Sequence, residues 1–131
     1  MKYYYYAVLE KEDEYYNVSF PDLAGVNTFG KGINEAVEMA SDALGGHLIV
    51  MEDDNDEIPT ASDFDTLATS LKNNEQLQLV SVETNIIRAR EDNKVVNKTV
   101  TLPQYLVELG KSQNVNFSQT LQRALKEELN V

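Results

Sequence analysis

No cysteine occurs among the 131 residues, which removes disulfide scaffolding, thiol catalysis and cysteine-ligated zinc and suits a reducing compartment. Histidine is almost as scarce. His47 stands alone, with no second imidazole or thiolate to share a metal, and reads as a structural or surface residue. No run of about 18 apolar residues is present to span a bilayer. The opening "MKYYYYAVLEKED" meets acidic side chains by Glu10, which leaves no long signal core. A cytoplasmic chain with no membrane partner is expected. Basic residues are few, 11 Lys and Arg against 22 Asp and Glu, for a net charge of −11. Spread evenly, that excess would oppose nucleic-acid binding, because phosphate contacts need a basic surface.

The charge is not spread evenly. Residues 1–93 hold 6 Lys and Arg against 19 Asp and Glu, whereas residues 94–131 hold 5 against 3. A polarity of this kind between segments implies two modules with different partners. Hydrophobic content of 42% is that of a globular protein, and 131 residues suffice for one ordinary domain, or for one small domain plus a module too small to bury a core by itself.

In the acidic part, "YYYYAVLE" (3–10), the polar turn "KEDE" (11–14) and "YYNVSF" (15–20) predict a β-hairpin with a four-residue loop. A third short strand is expected at 26–29. From Ile33 the period changes: Ile33, Val37, Ala40, Leu44, Leu48 and Met51 recur at steps of three and four, on one face of a helix. Gly45 and Gly46 interrupt that face and cost about 1 kcal/mol each relative to Ala, so a kink or a close contact with a sheet is expected there. Residues 52–65 read as an acidic loop broken by Pro59, residues 77–83 as a last strand, and residues 84–93 as a short helical or irregular linker.

The basic part begins with "NKTVTLP" (97–103), a strand pattern with no strand after it to pair with. Two helices follow, Gln104 to about Ser112 and Phe117 to Leu129, the second capped by Asn116. One short strand and two short helices bury too little to stand alone. A second copy solves the problem: two strands pair about a two-fold axis and four helices close a shared core of Val100, Leu102, Leu106, Leu109, Leu121 and Leu125. Such a ribbon fits the DNA major groove in the manner of the Arc and MetJ proteins. Asn97, Thr99 and Thr101 would face base edges, and Lys94 and the backbone N–H groups of Phe117 and Ser118 would meet phosphates.

Several catalytic motifs fail on inspection. "GVNTFGKG" (25–32) matches a phosphate-binding loop until Gly32, which lacks the hydroxyl that a magnesium ion needs. In "EDDNDE" (52–57) as a calcium loop, Glu57 stands where the turn glycine belongs. Glu10 and Asp22 are the carboxylates nearest to a two-metal pattern, but both sit near strand ends in solvated turns. The four tyrosines at 3–6 fit core packing better than base stacking. No catalytic residue, metal or cofactor is expected.

"YYAVLEKEDEYYNVSFPDLAGVNTFGKGINEAVEMASDAL", followed at the end by "TVTLP" and "NFSQTLQRALKEEL", resembles the HicB family of antitoxins over nearly the whole chain. The resemblance implies an α+β fold: a partial RNase H-like β-β-β-α-β domain at 1–83, a linker at 84–93, and a dimeric ribbon-helix-helix (Arc/MetJ-type) module at 94–131. It further implies a small basic mRNA-cleaving toxin of the HicA type as partner, operator DNA as the second, and a homodimer or higher homo-oligomer. Asp22, Glu52, Asp53, Asp54 and Asp56 are the acidic side chains expected to meet such a toxin. Two departures from the family are visible: Lys98 stands at an inward ribbon position, and no arginine faces outward. The rival readings are a stand-alone ribbon-helix-helix regulator with a sensing or oligomerising N-terminal domain, and a nuclease.

Overall fold

The computed structural model describes residues 1–92 and 95–131. The chain divides into two compact units, Met1–Glu91 and Asp92–Val131, and the fold is of mixed α+β class. Lys94, expected at a DNA phosphate, lies outside the described residues.

The first unit is built on a four-stranded antiparallel sheet in the order β3-β2-β1-β4. Strand β1 (Lys2–Glu12) is central and pairs with β2 (Tyr15–Ser19) and with β4 (Glu75–Glu83), while β3 (Asn27–Lys31) flanks β2. The register sets Val8 opposite Ser19 and Leu77, and Tyr5 opposite Val80. Because side chains alternate along a strand, Tyr5, Ala7 and Leu9 fall on one face with Val18, Val80 and Val82, and all six are buried. The hairpin loop is shorter than the polar run suggested. β1 extends to Glu12, and only Asp13 and Glu14 turn the chain, with Asp13 in the left-handed region at φ 56° that an aspartate tolerates.

Helix α1 (Gly32–Asp53) covers that apolar face with Ala36, Ala40, Leu44 and Leu48, all fully buried. Removing this stripe and the sheet face beneath it from water stabilises the unit by roughly 25 cal/mol per Å² of apolar surface buried. Ile33, assigned by periodicity to the same face, is half exposed. The helix is continuous through Gly45 and Gly46. The two glycines differ: a Cβ on Gly45 would stand 2.5 Å from Ile87 Cδ1, whereas one on Gly46 would meet nothing within 4 Å. Close approach therefore explains the first glycine only.

Of residues 52–65, expected as a loop, 54–63 lie in neither helix nor strand, while the span begins with the last two residues of α1 and ends with the first two of a short helix α2 (Phe64–Ala68). Asp63 caps α2 by accepting a hydrogen bond from the Thr66 amide at 2.9 Å. The segment from residue 84, read as a short helical or irregular linker, contains helix α3 (Thr84–Glu91), with Thr84 fully buried and Ile87 packed against the core.

The second unit contains α4 (Gln104–Ser112) and α5 (Phe117–Leu129), with the bounds that Pro103 and Asn116 suggested. Asn116 Oδ1 accepts from the Gln119 amide at 3.1 Å. The turn between the helices closes with Asn114 in the left-handed region and the Val115 amide donating to Gly110 O. Phe117 packs its ring on Gly110, where a Cβ would stand 2.6 Å from the ring. Residues 97–103 form no strand within this one chain. A strand exists by its ladder of hydrogen bonds, and among the described residues no neighbouring segment supplies one.

Candidate functional site

Two surfaces meet the requirements of binding sites, one on each unit. The first unit holds 6 Lys and Arg against 18 Asp and Glu, so its surface is strongly acidic. The five acidic residues expected to face a partner are used in different ways. Asp22 is occupied within the chain: its Oδ2 accepts from the Ser62 amide at 2.8 Å and its Oδ1 from the Ser62 hydroxyl at 2.6 Å. Glu52 lies in a half-buried network, accepting from the Tyr3 hydroxyl (2.7 Å), the Thr84 hydroxyl (3.0 Å) and Arg88 Nη2 (3.1 Å). Asp53 pairs with the same guanidinium at 2.9 Å. Asp54 and Asp56 are exposed beyond the end of α1 and enter no ion pair among the described residues.

This network shifts the groups in it. The Tyr3 hydroxyl, ahead of Arg88 and Thr84, holds the Glu52 carboxyl below the usual carboxylate range against the opposing effect of burial. Burial first, and then the bond to Glu52, pushes Tyr3 up to about 12. Through these bonds Glu52 ties β1, α1 and α3 together. Tyr5 donates to the carbonyl of Pro59, which pins the acidic loop to the buried side of the sheet.

The tyrosines divide by strand alternation. Tyr3 and Tyr5 point to the core, while Tyr4 and Tyr6 lie on the outer face, where Tyr6 meets Phe64 edge-on at 5.9 Å. Glu10 lies on that outer face as well. Among the described residues no group of three or more His, Cys, Asp or Glu side chains is placed to hold a metal ion. His47 is partly exposed on α1 and lines a shallow groove of about 380 Å³ with Gly25, Val26, Asp42, Gly46 and Val50. Sequence reasoning missed this groove; its only trace was the unexplained Gly46.

The second unit has no buried residue among those described. Val100, Leu102, Leu106, Leu109, Leu121 and Leu125 are each 36–53% exposed, an apolar surface without cover in one chain. Part of it is a hollow of about 310 Å³ lined by Lys98, Val100, Leu102, Phe117, Leu121 and Ala124. Alternation is kept: Asn97, Thr99 and Thr101 are exposed and take no part in the hollow. At the start of α5 the Phe117 and Ser118 N–H groups have no intrahelical acceptor, as the geometry of a first turn requires.

The family model described as HicB-like antitoxin of bacterial toxin–antitoxin systems matches residues 4–124. Among solved structures, a toxin–antitoxin complex from Streptococcus pneumoniae is similar at 28% identity and a TM-score of 0.58, over 98% of this chain and 99% of that one. The antitoxin HicB of Burkholderia pseudomallei shares the fold at 24% identity and a TM-score of 0.55, over 97% of this chain and 98% of that one. A complex of HicA3 and HicB3 shares it at 21% identity and a TM-score of 0.52, over 60% of this chain and 95% of that one. No curated protein sequence matches the chain. With a family match that spans nearly its whole length, the chain belongs to the HicB-like antitoxins of bacterial toxin–antitoxin systems.

Proposed function

We propose that the protein is a non-catalytic antitoxin that binds and masks a small basic ribonuclease toxin of the HicA type with its first unit, and represses its own operon with its second. The first unit is the partial RNase H-like domain of this reading, and the second the ribbon-helix-helix module. The observation that carries it is the coincidence of charge with architecture: the division into two units falls at the division between an acidic segment and a mildly basic one. An acidic surface matches a basic, RNA-binding enzyme, and complementary charge speeds the encounter. A complex of HicA3 and HicB3 among the fold's neighbours supports a toxin of that class.

For the second unit the support is its uncovered apolar surface. Two copies would pair residues 97–103 as an antiparallel ribbon, fill the hollow beside Leu121, and turn Asn97, Thr99 and Thr101 to one side. That side faces base edges in the major groove, with the N-terminus of α5 at a phosphate. Lys98 lines the apolar hollow, where its stem covers neighbouring side chains and its ammonium reaches water. Lys94, read from the sequence alone, would add a phosphate contact.

The test measures binding of the full chain to two ligands, the adjacent promoter DNA and the small basic product of the neighbouring reading frame, each at two salt concentrations. Tight binding of both, weakening as salt rises, supports the double role. Binding of DNA with none of the neighbouring product favours the rival, a stand-alone regulator.

A further inference from the structure

The groove on α1 has the features of a receptor for one side chain. We infer that it takes a basic side chain of the toxin, an inference that rests on the masking role proposed above. Asp42, Gly46 and Val50 recur every four residues and so line one side of the helix, while Gly25 and Val26 form the opposite wall. The lining is mostly apolar, and its polar side chains are Asn27, His47 and Asp42, of which Asp42 alone brings a carboxylate. A lysine or arginine has the matching form: an apolar stem that lies along Val26 and Val50, and a charged end for the carboxylate.

Three observations converge on this occupant. Gly46 weakens the helix interior, yet a Cβ there would meet nothing within 4 Å and its backbone needs no left-handed conformation, so neither packing nor geometry inside the chain requires glycine. Its bare backbone keeps the groove open. Secondly, α1 carries Glu35, Glu38, Asp42, Glu52 and Asp53 with no Lys or Arg. Glu38 and Asp42 are one turn apart, a repulsive spacing, and neither enters an ion pair among the described residues. A cation from outside would relieve both. Thirdly, this acidity disfavours a second copy of the chain as occupant, because two such faces would repel each other.

The test uses the full chain, the toxin from the neighbouring reading frame, and three variants read by binding and by thermal unfolding. Gly46→Gln fills the groove with a helix-favouring side chain and is expected to raise the unfolding midpoint while weakening toxin binding at least tenfold. Asp42→Asn is expected to weaken binding and make it less sensitive to salt. Glu10→Gln, on the outer face of the sheet, is expected to bind as the parent does. If the parent binds and Gly46→Gln binds equally well, the groove is not the receptor and the masking role stands. A lowered midpoint for Gly46→Gln would show an internal need for glycine and overturn the inference. Failure of the folded parent to bind any toxin ends the masking role and the groove's role with it.

Discussion

The Arg88 guanidinium stands 3.1 Å from Glu52 Oε1 and 2.9 Å from Asp53 Oδ1, which fastens α3 to the C-terminal end of α1. The residues that lead out of the first unit are thereby held to its core, and two of the acidic side chains nearest the loop are already committed. The charge available to a toxin is correspondingly smaller than the composition suggests.

The same carboxylate sets a pH dependence. Glu52 is held below the usual carboxylate range, so its contribution to stability is complete above that range and is lost as pH falls through and below it. Tyr3, pushed up to about 12, works in the opposite direction: its contribution is complete below the ordinary tyrosine value of about 10 and is lost as pH rises towards 12. Denaturant unfolding across pH is expected to show a fall at both ends. In Glu52→Gln both slopes should flatten, and profiles that superimpose on the parent's would contradict the network's role.

Gly30 lies under the first turn of α1, where a Cβ would stand 2.5 Å from the Ala36 backbone nitrogen and 2.7 Å from Ala36 Cα. Backbone atoms cannot swing aside as a flexible side chain does. Gly30→Ala is expected to destabilise the first unit by about 1–3 kcal/mol, measured as a lowered denaturation midpoint at unchanged slope.

Self-association depends on the uncovered face of the second unit. Leu121 lines the hollow beside Val100 and Leu102, and a carboxylate there would be buried without a partner when two copies meet. Leu121→Asp should therefore sediment as a species smaller than the parent at micromolar concentration, and lose operator binding with it. A parent that already sediments as a monomer would refute the shared core.

Thr101 is exposed, next to Leu102, which lines the hollow on the opposite side of the extended segment. If it reads a base, Thr101→Ala weakens operator binding by about 1–3 kcal/mol and leaves the toxin affinity unchanged. Equal affinity of variant and parent for the operator, compared in a gel shift at fixed salt, would remove Thr101 from the recognition set.

Much of this architecture is carried by local patterns. Pro103, Asn116 and the apolar spacing between them locate α4 and α5, and alternation locates β1, β2 and β4. What escaped is what depends on distant residues or on very short spans. Five residues of α2 complete less than two turns and show no period. The fates of Asp22 and Glu52 are decided by Ser62 and Arg88, 40 and 36 positions away, and no spacing rule reaches so far. Ile33 follows the helical period but is half exposed, because period alone does not say how far the sheet beneath extends. The groove at Gly46 needs the turn at Gly25 and the helix together, and neither is visible from the other in sequence.

The most direct measurement is an RNA-protection assay with the full chain and the purified toxin from the neighbouring reading frame, titrated through equal molar amounts. The masking role requires cleavage to stop near stoichiometry and to return when salt is raised enough to screen the acidic surface. Continued cleavage in the presence of excess folded chain would contradict it.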